Sequence, residues 1–216
     1  MAIAVKICGI TTPDAANAAA AAGAIYGGLV FHPKSPRNLD IERARELARL
    51  MRGKLKVVTL LADPSDEQLA AVTGQVAPDF LQLHGAESAR RVAYVRAKFN
   101  TPIIKAVAVA EASDLAAAAE YENVADLLMF DAHAPKGAER PGGHGATFDW
   151  KILAGRGFDK PWFLAGGLDP ENVARAIELS GAEMVDVSSG VESAPGIKDP
   201  ARIQSFINAA RHPVQA

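Results

Sequence analysis

Four side chains in this sequence are of types that transfer protons or grip anions. They are Cys8 in "KICGIT", Arg37 in "HPKSPRNLD", His84 in "LQLHGAE" and Asp131 in "LLMFDAHAPKG". Taken singly, each has an ordinary structural use: a small buried thiol, a solvated guanidinium, a turn-capping imidazole, a helix-capping carboxylate. Asp131 stands apart, because a carboxylate placed directly after "LLMF" sits at the edge of an environment that strips it of water. Two further clusters suit an anion. "LAGGLDPENV" at 164–173 sets Gly166 and Gly167 between an apolar run and the first turn of a helix, so backbone N–H groups can approach an anion with no Cβ in the way. "DVSSGVE" at 186–192 repeats the arrangement with Gly190 and adds the hydroxyls of Ser188 and Ser189. One such cluster makes any tight turn, whereas two in consecutive units make a cup for a phosphate monoester.

The elements that must carry these residues alternate along the chain. Short aliphatic runs appear at "AVKIC", "YGGLVF", "LKVVTLL", "DFLQL", "PIIKAVAV", "DLLMF", "PWFLA" and "MVDVS". Helical stretches such as "PDAANAAAAAG", "DIERARELARLM", "SDEQLAAVTGQ", "ESARRVAYVRAKF" and "PENVARAIELSG" lie between most of them. Asp14, Ser65 and Glu87 fall in or near first turns, Pro13 and Pro170 open helices, and Gly23 and Gly181 stand where helices stop.

Eight such units share 216 residues, 27 to each, enough for a five-residue strand and a three-turn helix. The expected fold is therefore α/β, a (β/α)₈ TIM barrel formed by residues 1–216 as one domain. An open doubly wound sheet would carry a glycine-rich loop after its first strand, and here that strand ends in "CGITTP". The late glycine clusters suit a barrel, in which loops after strands seven and eight commonly hold phosphate. Cys8, Arg37, His84 and Asp131 then all follow strands and share the catalytic face.

Composition narrows the partners. A formal net charge of -2 argues against nucleic acid and against a polybasic membrane-surface protein. The most apolar stretch, "AANAAAAAGAIYGGLVF", is mostly alanine and glycine, too weakly hydrophobic for a membrane span. A single cysteine cannot form an internal disulfide, and no signal-peptide pattern opens the chain, so a cytoplasmic protein is expected. Monomer and homodimer are both compatible with the sequence, the Ala-rich first helix being suited to either a packing face or an interface.

The strings "KICGIT", "FHPKSPR", "LQLHG", "LLMFDA", "FDW", "LAGGLDPENV" and "DVSSGVESAPGIKD" resemble phosphoribosylanthranilate isomerase, motif by motif and in order, from about Val5 to about Ile207. The resemblance implies an Amadori rearrangement of N-(5-phosphoribosyl)anthranilate to 1-(2-carboxyphenylamino)-1-deoxyribulose 5-phosphate in tryptophan biosynthesis, without metal or organic cofactor. It implies Cys8 as general base and Asp131 as general acid, with Arg37 facing the anthranilate end and His84 and Asp186 on the substrate. Phosphate would fall to Gly143, Gly145, Gly166, Gly167, Ser188, Ser189 and Gly190. Many relatives have "GGTG" where this chain has "GGHG" at 142–145, so His144 replaces a hydroxyl while the backbone donors of Gly143 and Gly145 remain.

Two other functions share these motifs: another phosphate-binding barrel isomerase or lyase, and a non-enzymatic sugar-phosphate sensor. An isomerase of a bisphosphorylated substrate would need a second glycine-serine cup after strands two to four, and a sensor could dispense with Cys8 or Asp131. Finally, strand alternation puts Lys6 on the side of Cys8 and Asp186 on the side of Ser188. If strands one and eight are neighbours, Lys6 and Asp186 face the interior and compensate each other's charge.

Overall fold

Every apolar run named above becomes a parallel strand. The computed structural model describes residues 3–133 and 147–211. Its strands are β1 (Ala4–Cys8), β2 (Tyr26–Phe31), β3 (Lys56–Leu61), β4 (Phe80–Leu83), β5 (Ile103–Val109), β6 (Leu127–Ala132), β7 (Trp162–Leu164) and β8 (Met184–Val187). They close in sequence order into a barrel, with β8 returning to β1.

Alternation along the strands sorts side chains into two cores. Val58, Ile104, Ala106, Leu127, Met129, Phe163 and Ala165 fill the barrel, with Tyr26, Phe80 and Met184 packed against them. The opposite faces, among them Val5, Ile7, Leu29, Leu81, Leu83, Phe130, Leu164 and Val185, pack outward with the helices. By the same alternation, Lys6, Cys8, Gln82, Asp131 and Asp186 point inward, toward the upper part of the barrel.

The helices are α1 (Pro13–Ala22), α2 (Ile41–Met51), α3 (Asp66–Gln75), α4 (Ala89–Phe99), α5 (Val173–Ser180) and α6 (Pro200–Arg211). Thr12, Asp40, Ser65 and Ser88 cap the first four through their side chains, and left-handed Gly23 and Gly181 end α1 and α5. Glu87 stands beside the Ser88 cap of α4, near the first turn as expected, and its carboxylate also meets Lys105 at 2.8 Å. Two return connections carry 3₁₀ turns, Ala112–Glu120 and Trp150–Leu153. The first is alanine-rich and well suited to an α-helix, but the larger rise per residue of a 3₁₀ turn covers more of the barrel's height in nine residues. After β8 come a single 3₁₀ turn (Ser189–Val191) and a small hairpin, β9 (Glu192–Ala194) with β10 (Ile197–Lys198).

Candidate active site

Cys8 is the last residue of β1 and is 4% exposed. Two residues earlier on the same face, Lys6 is wholly buried and pairs with Asp186 Oδ1 at 2.8 Å. The β1–β8 ladder sets Lys6 directly opposite Asp186, so barrel closure delivers the expected charge compensation. Gly28 on β2 stands in register with Cys8, and a Cβ there would lie 3.1 Å from Cys8 Sγ and 3.2 Å from Lys6 Nζ. The missing side chain is the space that lets ammonium and thiol share one corner of the barrel. Burial pushes the Cys8 thiol above its ordinary pKa; the Lys6 charge opposes this, Asp186 reinforces it and Lys198 opposes it, with a net upward result. Lys6 itself, despite burial, is held above its ordinary value by Asp186 and Cys8 and so keeps its proton.

Asp131 lies across the barrel on β6 and is 8% exposed. His84 Nε2 approaches its Oδ2 at 3.0 Å, and Gln82 Nε2 approaches His84 Nδ1 at 2.8 Å. The backbone around His84 is pinned. Its N–H donates to Leu61 O, while Lys105 Nζ donates to Gly85 O at 2.7 Å and pairs with Glu87. Both side chains of that pair are 2% exposed, so neither can leave without stranding a buried charge. His84, named from the sequence for substrate, is thus placed against the carboxyl group of Asp131.

Arg37 is buried, and its guanidinium forks onto Glu192, Nε to Oε1 and Nη2 to Oε2 at 2.7 Å each. Lys198 Nζ joins the same carboxylate at 2.8 Å and also donates to Ser188 O. Burial raises the Glu192 pKa, but the hydrogen bond from Arg37 and the charge of Lys198 outweigh it, and the carboxyl is held below its ordinary range. Burial pulls the Lys198 ammonium down, although Glu192 opposes it. Neither Glu192 nor Lys198 was singled out from the sequence. The available signal was "ESAPGIKD", in which a Pro-Gly turn folds the glutamate and lysine of one hairpin together.

The cup after β7 and β8 is built from backbone. Gly166 and Gly167 have φ of 87° and 62°, left-handed values that a residue with a side chain adopts only under strain. A Cβ on Gly190 would overlap the Leu168 carbonyl oxygen, so the two glycine clusters meet through a contact only glycine permits. Asn172 braces the loop, its Nδ2 donating to Gly167 O at 2.9 Å and its Oδ1 accepting from Asp169 N–H at 3.0 Å. The Ser188 hydroxyl donates to Cys8 O at 3.2 Å, which ties β8 to β1 beside the thiol. Gly143, His144 and Gly145 lie outside the described residues. Among the described residues, no His, Cys, Asp and Glu side chains group as three or more metal ligands, and no helix is long and apolar enough to cross a membrane.

This arrangement sets a buried thiol and a hydrogen-bonded carboxyl on facing walls, with the Arg37–Glu192–Lys198 cluster and a backbone cup at the same end. The family model described as N-(5'-phosphoribosyl)anthranilate (PRA) isomerase matches residues 5–209. The N-(5'-phosphoribosyl)anthranilate isomerase of Cereibacter sphaeroides is 53% identical over 207 residues, covering 96% of this chain and 98% of that protein. The crystal structure of phosphoribosyl anthranilate isomerase from Thermotoga maritima superposes with a TM-score of 0.87 at 35% identity, covering 96% of this chain and 98% of that one. A phosphoribosyl anthranilate isomerase in complex with reduced 1-(o-carboxyphenylamino)-1-deoxyribulose 5-phosphate gives a TM-score of 0.84 at 33% identity, with the same coverage.

Proposed function

This chain belongs to the N-(5'-phosphoribosyl)anthranilate isomerase family, and from that premise we propose how its own residues divide the work. The enzyme is the isomerase of tryptophan biosynthesis that converts N-(5-phosphoribosyl)anthranilate to 1-(2-carboxyphenylamino)-1-deoxyribulose 5-phosphate. The rearrangement needs an acid to open the ribose ring and a base to take a carbon-bound proton. Asp131, protonated, gives its proton to the furanose oxygen, and the ring opens to a Schiff base. Cys8, as thiolate, then removes the proton from C2′, leaving an enolamine that tautomerises to the ketone.

One observation carries this division of roles. Cys8 on β1 and Asp131 on β6 are both nine-tenths buried and stand on the inner face of the barrel near the C-terminal ends of strands three apart. A substrate lying between them has its two reacting positions on opposite sides. The raised thiol makes Cys8 a stronger base once ionised, and Lys6, whose charge opposes that rise, supports the thiolate. The N–H groups around Gly166, Gly167, Ser189 and Gly190 take the substrate phosphate, a use favoured by the left-handed backbone of Gly166 and Gly167 and the close packing of the two loops. Arg37, held by Glu192, faces the anthranilate carboxylate with Lys198 beside it, so the pocket is net cationic before substrate arrives. The lone buried thiol suits a reducing compartment, and the cytoplasm is the proposed location.

The test is turnover of phosphoribosylanthranilate, followed as loss of anthranilate fluorescence, in Cys8→Ser and Asp131→Asn beside wild type. Serine is far too weak an acid to ionise in the base's place, and asparagine keeps the shape without a proton to give. Each variant should lose at least roughly 10²-fold in kcat, the lower end for a proton-transfer group, with KM little changed. Near-normal kcat in either variant overturns that residue's role.

A further inference from the structure

Gln82 faces the barrel interior two residues before His84 and is wholly buried. Its Nε2 lies 2.8 Å from His84 Nδ1 and 3.2 Å from Met129 Sδ, while its Oε1 is buried with no hydrogen-bond partner among the described residues. An amide nitrogen only donates, so His84 Nδ1 is the bare, accepting nitrogen and the ring proton is on Nε2. That N–H points at Asp131 Oδ2, 3.0 Å away. The opposite amide orientation would strand two N–H donors in place of one carbonyl. It would also put the ring proton on Nδ1, and Asp131 would then have to turn its own proton toward the bare Nε2.

We propose that Gln82 is a positioning residue that selects, through the His84 tautomer, which oxygen of Asp131 carries the transferable proton. Because His84 N–H occupies Oδ2, the proton sits on Oδ1, the oxygen left to meet the substrate. After transfer, the same N–H remains on the new carboxylate, where a hydrogen bond to charge is stronger than one to a neutral acid. The proposal rests on Asp131 being the general acid. It also accounts for the orphaned Oε1: a buried carbonyl without a partner destabilises the fold, so stability alone gives no reason for an amide here. An apolar side chain of similar length would satisfy the barrel at least as well.

The experiment uses the full chain labelled with ¹⁵N in its histidines, with imidazole nitrogen spectra recorded beside steady-state kinetics. In wild type, the His84 spectrum should show Nε2 protonated and Nδ1 bare, and the reverse pattern overturns the proposal whether or not any variant folds. Gln82→Met should keep or raise the melting temperature, convert the His84 signal to a mixture of tautomers, and lower kcat roughly tenfold with KM within about twofold. A purely structural Gln82 would instead lower the melting temperature on substitution and leave the tautomer alone. Wild-type kcat and an unchanged Nε2–H tautomer in Gln82→Met, beside an inactive Asp131→Asn, refute the positioning role. Near-normal kcat in Asp131→Asn refutes the acid assignment instead, so the two failures are distinguishable.

Discussion

Lys6→Met tests whether the cation beneath the thiol sets the working pH of the enzyme. Cys8 Sγ and Lys6 Nζ each lie about 3 Å from the point where a Gly28 Cβ would stand, which puts them within about 6 Å of each other. At that distance and an effective dielectric constant of about 20, one unit charge acts on another with roughly 3 kcal/mol, or about two pH units. Burial already holds the thiol above its ordinary value, and Lys6 is the largest influence opposing it. Removing Lys6 therefore moves the Cys8 pKa further up, never down. The low-pH limb of kcat/KM should shift upward by about two units. At neutral pH the thiolate population falls roughly 100-fold, but each thiolate is a stronger base; with a Brønsted slope near one half, the net loss is on the order of tenfold. The substitution also strands Asp186, and breaking a buried pair costs about 3–5 kcal/mol. Folding is therefore checked by thermal melting, and the double variant Lys6→Met/Asp186→Asn is assayed in parallel. Since Asp186 and Lys6 act on the thiol in opposite directions, the limb should move less in the double variant than in the single one. Fluorescence assays from mildly acidic to alkaline pH read this limb. A folded Lys6→Met enzyme whose low-pH limb stays in place refutes the reasoning, as does a double variant shifted further than the single.

Three other substitutions probe the site's construction. Gly28→Ala introduces a Cβ 3.1 Å from Cys8 Sγ and 3.2 Å from Lys6 Nζ, so it should lower kcat/KM about tenfold while overpacking costs about 1–3 kcal/mol in urea unfolding. Gly167→Ala forces a left-handed φ of 62° on a residue with a side chain, at about 1–2 kcal/mol, and should raise KM more than it lowers kcat. The Glu192 carboxyl, held below its ordinary range, contributes stability above its unfolded-state pKa that is lost as pH falls through its lower folded value. Glu192→Gln should thus be less stable at neutral pH by about 3–5 kcal/mol and lose less on acidification than wild type, as measured by urea unfolding at stepped pH.

Much of this molecule was legible in its sequence. The period of aliphatic runs fixes eight strands, because a strand, a return segment and two short loops need about as many residues as each unit has. Cys8 and Asp131 follow from their places at the ends of apolar runs together with the family resemblance. Even the Lys6–Asp186 pair could be read, since alternation on two strands that close a barrel as neighbours leaves both charges facing inward and a buried charge must find its opposite. Other pairings were decided only by tertiary structure. Arg37 meets Glu192 from 155 residues away, His84 meets Asp131 from 47 away, and Glu87, beside the start of α4, meets Lys105. Burial dictates that each such charge or polar group has a partner, but not which one. The choice depends on strand register and loop path, summed over many weak contacts that no local pattern of residue types records.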